Sequence, residues 1–424
     1  MRILIVLLLC SLPLSAWSDD QITTLAAATN SAHQIKDYVH MEQDVEKLLR
    51  FLPDHPRIWY LFAVAKLGHG DRDGALQALR HIAEMGVYID IRSDPELSPL
   101  RAMPEFSALE KRFSLALKPV GSATVAFQLK EPDFIPEGLA YDTLSGDFFV
   151  GSVHLRKVVR VHNGVPYNFA DGDSGLWSVL GIKPDSAHRV LWVVTSALPQ
   201  MEGYDDSLRD RSALYAFDLM SGQRLAVYKP SDNGPHAFND LTIATDGGVY
   251  VADGEGGVYV LAPGTKTLQP LIPKGALRSS QGLALSADGR LLYIADYSRG
   301  LFAYDLTSTQ LTHLTAPADI NTTGLDGLAR HGSDLIATQN GINPQRVLRL
   351  SLTQSGLAIA TGSVIEANDP LVPEPTLEDI VGDTLYVVAN SQWSRFDEKG
   401  VLAPASRLEV PRIVKLSLPR SDQH

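Results

Sequence analysis

The feature that most restricts how this chain can fold is a short motif that returns six times. Its forms are Glu137-Gly-Leu-Ala, Leu180-Gly-Ile-Lys, Asn239-Asp-Leu-Thr, Gln281-Gly-Leu-Ala, Asp326-Gly-Leu-Ala and, more loosely, Thr376-Leu-Glu-Asp. Each is trailed after a turn by an apolar run, at 148–151, 191–195, 249–252, 292–295, 335–338 and 385–389. The motif starts lie 43, 59, 42, 45 and 50 residues apart. Short strands repeating every roughly 40 to 50 residues are the mark of propeller blades. The long second interval is accounted for by a polar insertion, 198–211. The spacing therefore predicts an all-β, six-bladed β-propeller over 121–420. Blade six has its third strand at 412–418 and no strand after it. It lacks an outer strand unless 123–129 supplies one, which would fasten the ring and remove an exposed edge.

The chain before the repeat has a different period. From 56 to 86, Trp59, Phe62, Ala63, Ala65 and Leu67, then Ala75, Leu76, Leu79, Ile82 and Ala83, recur at spacings of three and four, with Gly68-His-Gly between the two sets. This helix-turn-helix pair resembles one tetratricopeptide unit, and 19–117 as a whole reads as a small all-α domain. A lone repeat cannot bury its own face. The region is expected to pack as a helical cap, the other reading being a groove for a protein partner. Residues 1–18 read as a signal peptide: Arg2, an apolar run too short to span a bilayer, and small residues before Asp19. That implies export, to a periplasm or to the outside. Cys10 is the only cysteine, so the exported chain would form no internal disulfide. A formal net charge of −12 argues against a nucleic-acid partner or an anionic membrane surface.

Equivalent positions of a propeller lie at one height around one axis. The first motif positions are Glu137, Leu180, Asn239, Gln281, Asp326 and Thr376, and four of the six offer a carboxylate or amide oxygen. Two carboxylates and two amides converging on a channel make a hard-oxygen site, suited to Ca2+ and, less well, to Mg2+ or Mn2+. Taken singly, each could instead bond a strand-start backbone group. No Gly-x-Ser-x-Gly elbow in a strand-to-helix context, zinc-type His spacing or phosphate-binding glycine loop competes with this reading.

Residues 134–420 resemble the senescence-marker-protein and gluconolactonase family, whose relatives include squid diisopropylfluorophosphatase and, more distantly, the paraoxonases and strictosidine synthase. The carriers are Pro136-Glu-Gly-Leu, Asn239-Asp with Val249-Tyr-Val-Ala-Asp, Ser280-Gln-Gly-Leu-Ala-Leu-Ser-Ala-Asp-Gly, and Leu325-Asp-Gly-Leu. The resemblance implies that Glu137, Asn239, Gln281 and Asp326 hold a divalent metal, often calcium. The sequence departs from the family at Gln281, where Asn is usual and where the extra methylene moves the oxygen by more than an ångström. The helical front domain and a long loop, 391–411, are further departures.

Loops between second and third strands return to the channel end that carries these ligands. They bring His154, Arg156, Asp296, Tyr297, Gln339, Asn340, Asn390 and Trp393 as candidate rim residues for a small-molecule substrate, with 198–211 and 391–411 as candidate lids. Asp326, if it keeps one oxygen free, is the candidate general base, and His154 is the second. Three readings stay open: a metal-dependent hydrolase of lactones or related esters, a non-catalytic propeller that binds a small molecule or a protein, and other chemistry on the same scaffold, such as condensation of the strictosidine synthase type.

Overall fold

The computed structural model describes residues 19–397 and 399–419; the expected signal peptide lies outside them. Five helices come first: α1 (Asp19–Gln34), α2 (Tyr38–Phe51), α3 (Pro56–Gly68), α4 (Arg72–Glu84) and α5 (Pro104–Leu115). Their starts follow from local chemistry. Asp37 and Asp71 cap α2 and α4 by accepting hydrogen bonds from the backbone of His40 and Gly74, and proline opens α3 and α5, where the missing N–H is no loss. Met41, Val45, Leu48, Leu79, Ile82, Phe106 and Phe113 fill a core of their own. Among the described residues no helix is long and apolar enough to cross a membrane.

The rest is the six-bladed propeller. Strand β1 (Thr124–Gln128) precedes blade one, formed by β2 (Pro136–Asp142), β3 (Asp147–Ser152), β4 (Val158–His162) and β5 (Val165–Ala170). Blade two is β6 (Ser178–Asp185), β7 (Val190–Ser196), β8 (Ser212–Asp218) and β9 (Arg224–Tyr228). Blade three is β10 (Phe238–Ile243), β11 (Val249–Asp253), β12 (Gly257–Leu261) and β13 (Gln269–Ile272). Blade four is β14 (Ser280–Leu285), β15 (Leu291–Asp296), β16 (Gly300–Asp305) and β17 (Leu311–His313). Blade five is β18 (Leu325–His331), β19 (Asp334–Gln339), β20 (Arg346–Leu352) and β21 (Ile359–Ala367). Blade six has β22 (Glu378–Val381), β23 (Thr384–Val388) and β24 (Arg412–Ser417), and its outer strand is β1, so both ends of the propeller share one sheet.

Every sheet pairs antiparallel, and one irregularity recurs. In blades one to five the innermost strand carries a bulge, between Pro136 and Leu139, Val179 and Ile182, Phe238 and Leu241, Ser280 and Leu283, and Leu325 and Leu328. The bulge falls on the sequence motif each time. A bulge inserts one unpaired residue and re-aims its side chain, and such features gather beside functional sites.

Candidate functional site

The bulges direct Glu137, Leu180, Asn239, Gln281 and Asp326 into one cavity of about 280 Å³, also lined by Leu198, Tyr297, Asn340, Gln345, Glu374, Ser391 and Trp393. Glycine follows the site position at Gly138, Gly181, Gly282 and Gly327. A Cβ on Gly282 would come within 2.5 Å of Asp326 O and Leu328 N, so only glycine lets the inner strands of blades four and five approach this closely.

Each of the four candidate ligands is oriented by a partner that engages one of its polar atoms. Asn239 Nδ2 donates to Ser280 O at 3.0 Å, and Gln281 Nε2 donates to Ser279 Oγ at 3.1 Å. With their nitrogens engaged, both amides can offer oxygen to the cavity. Glu137 Oε2 accepts from Trp393 Nε1 at 2.7 Å, and Asp326 Oδ2 accepts from Asn340 Nδ2 at 2.6 Å. Both carboxylates are buried, with 7% and 8% exposure. Burial, and then the charge of Asp326, holds the Glu137 carboxyl well above the usual carboxylate range; burial pushes Asp326 up to about 6. Among the described residues no three His, Cys, Asp or Glu side chains converge as a metal cluster, so a cation held here depends on the amide oxygens as well. Two carboxylates that repel each other and two amide oxygens suit a hard divalent cation, which would relieve that repulsion.

The rim divides into residues that reach the cavity and residues that hold its walls. Tyr297 donates its hydroxyl to Asn340 Oδ1 at 3.0 Å, so Tyr297, Asn340 and Asp326 form one hydrogen-bonded row. Trp393 stands beside Leu198 and Phe396 as an apolar wall. The two insertions meet there, with Gly400 packed against Pro199.

Five expected residues do not line the cavity, each for a local reason. His154 ties Nδ1 to Gln200 O at 2.7 Å and packs on Phe396, and so braces the insertions rather than facing a substrate. Arg156, with left-handed backbone (φ 55°), turns its guanidinium to Leu176 O and Glu202 O. Asp296 is fully buried and accepts from the backbone of Arg278, Ser298 and Arg299, closing a turn. Gln339 donates to Asn321 O and Thr323 O. Asn390 bridges Val410 O and the Arg412 amide, which fastens the long loop of blade six.

Sequence reasoning missed Leu198, Gln345, Glu374 and Ser391. Leu198 and Ser391 open the two insertions, a position that could have marked them. Gln345 and Glu374 sit on loops with no repeat signal. Gln345 Oε1 and Ser391 Oγ are buried against the cavity with no hydrogen-bond partner, while Glu374 is held by the amide and hydroxyl of Ser394.

No protein-family model and no curated protein sequence matches the chain. Among solved structures it is similar to a gluconolactonase from Xanthomonas campestris, at 17% identity over 71% of this chain and 99% of that one, with a TM-score of 0.48. It is also similar to a calcium-binding protein, regucalcin, from Agrobacterium tumefaciens, at 15% identity over 72% and 97% of the two chains, TM-score 0.49. A luciferin-regenerating enzyme is similar at 15% identity over 71% and 98%, TM-score 0.47. At these identities no residue role transfers.

Proposed function

We propose that the chain is an exported, divalent-metal-dependent hydrolase of lactones or related esters, with Ca2+ as the metal. The observation that carries this reading is the donor set: two buried carboxylates and two amides with tied nitrogens, re-aimed into one cavity by the same bulge in four blades. Glu137, Asn239, Gln281 and Asp326 would hold the ion. Bound there, it would supply Lewis-acid stabilisation of the oxyanion that forms as a carbonyl is attacked.

The chain's own residues do the rest. Asp326 has Oδ2 bonded to Asn340, which leaves Oδ1 to accept a proton from the attacking water. In the metal-free cavity burial raises its proton affinity above that of an ordinary aspartate, to a pKa of about 6. Asn340 and Tyr297 fix its orientation, and Gln345 and Ser391 offer unpaired polar atoms to the substrate. Leu198 and Trp393 limit water at the mouth.

The test is calcium titration into chelator-stripped protein, followed by a panel of lactones and esters. Saturable binding and hydrolysis, both lost in Asp326→Ala, are expected. A folded wild-type protein that binds no calcium would remove the reading.

A further inference from the structure

The loop 340–345 connects β19 to β20, and its first and last residues, Asn340 and Gln345, both line the cavity. Within the propeller, Gly341 N donates to Gly324 O at 3.1 Å, and Asn340 Nδ2 donates to Pro375 O at 3.1 Å. Other contacts of the loop lead to the helical domain. Ile342 packs into the core of the helical domain. Asn343 O accepts from Tyr88 N at 2.7 Å. Directly after the loop, Arg346 is 4% exposed and has no carboxylate within ion-pair distance among the described residues. A buried guanidinium is expensive unless its N–H groups are matched, and here Nε and Nη1 are matched by neutral oxygens. Nη1 donates to Gly86 O, at the end of α4, at 2.7 Å, and Nε donates to Gln339 Oε1 at 2.6 Å. Gln339 passes the link to Asn321 O, and Asn321 donates to Asp54 O in the helical domain at 2.6 Å. The connection that follows α4 thus holds the loop and its flank directly, through Tyr88 and Gly86, and the one that follows α2 reaches it only through Asn321 and Gln339.

We infer that the helical domain is a working part of the site: through Arg346, Ile342 and Asn343 it clamps the loop 340–345, and the clamp sets Asn340 against Asp326. Arg346 is then a positioning residue, acting on the Asp326 carboxylate through Asn340. This rests on the functional reading above for the role of Asp326, and it assigns a task to a domain that the propeller does not need for closure. A fork-shaped, fully charged donor suits the task, because Arg346 holds Gly86 and Gln339 at fixed separation, which an ammonium on a flexible stem does less well.

The test uses the full chain with Arg346→Met, Arg346→Lys, Asn340→Ala and the Arg346→Met/Asn340→Ala double variant. Ile342→Ser serves as a second cut of the same contact, without an emptied guanidinium pocket, should Arg346→Met fail to fold. Amide exchange over 340–345 is expected to quicken at least tenfold in Arg346→Met and in Ile342→Ser, with the propeller strands unchanged and partial recovery in Arg346→Lys. The calcium Kd should weaken about tenfold in Arg346→Met and by no further step when Asn340→Ala is already present, since the effect runs through Asn340. Unchanged exchange in the loop, or additive losses in the double variant, would overturn the inference. Absence of calcium binding by the wild-type chain would instead sink the functional reading, and the exchange result alone would then decide whether the clamp exists.

Discussion

Glu137 and Asp326 are two buried acids of raised proton affinity, Glu137 through burial and the charge of Asp326 and Asp326 chiefly through burial, a liability that a purely structural channel would shed. Replacing one of them separates stability from function. Glu137→Gln keeps the Trp393 contact available to the side-chain oxygen and removes one charge from the cavity. It is expected to stabilise the metal-free protein by roughly 1–2 kcal/mol, since relief of like-charge repulsion and of charge burial act in the same direction. The same substitution should weaken calcium binding by at least 100-fold, which chemical denaturation and titration of one protein preparation would show together. That Glu137, Asn239, Gln281 and Asp326 share one cavity was legible in the sequence because the repeat placed them at equivalent positions, so their chemistry could be read jointly. The rim was half legible. Residue type and loop position found Tyr297, Asn340 and Trp393, but could not tell them from Asp296, Gln339 and Asn390, whose side chains are taken up by bonds to wall and loop backbone instead. His154 shows the reason most plainly: what removes it from the cavity is a contact with Gln200, in an insertion that begins more than forty residues later.

At the scale of elements, the bulge and the glycine beside it were visible only as a repeated word, not as geometry. The apolar runs predicted the second strands closely, because these strands are buried along most of their length. The one-residue bulge carries no pattern of its own. Its consequence is testable at Gly282, where alanine would force the inner strands of blades four and five apart at Asp326 O and Leu328 N. A loss of about 2–3 kcal/mol in a urea titration is expected, with weaker calcium binding because Asp326 moves with its strand. Blades one and two have a second tie. Asp142, at the end of β2, accepts from Ser145 N, Ser186 Oγ and Arg189 Nη1. Burial alone would raise this carboxyl, but those bonds outweigh it and hold it at about 2. A lowered folded-state pKa means stability that is present above the ordinary value of 3.8 and lost as pH falls through about 2. The contribution is about 2 kcal/mol. Asp142→Asn should therefore reduce stability at neutral pH and flatten its fall between pH 4 and 2, measured by denaturation at several pH values.

For the whole molecule, the sequence announced both the number of blades and the way the ring closes, because blade six visibly ran out of strands. It did not announce where the helices dock, since that depends on single contacts such as Arg346 with Gly86 and Asn321 with Asp54, spread over more than two hundred residues. Closure rests on β1, which pairs Thr124 with Lys415, Val125 with Val414, Phe127 with Ile413 and Gln128 with Arg412. Phe127 also packs on Phe148 of blade one, at 5.2 Å between ring centroids, so the strand binds the last blade and touches the first. Two truncations isolate its contribution: a chain beginning at residue 118 and one beginning at residue 130. Both lose the helical domain and uncover the same docking surface, and they differ in β1 and its flanks. The longer chain should remain monomeric on size exclusion and melt cooperatively. The shorter one presents β24 as an unpaired edge and should aggregate or melt at least 10 °C lower, because an open sheet edge recruits further chains and no interaction remains between the propeller's two ends. Equal behaviour of the two would mean that contacts between neighbouring blades, such as Asp379 with the Tyr141 amide, hold the ring without the shared strand.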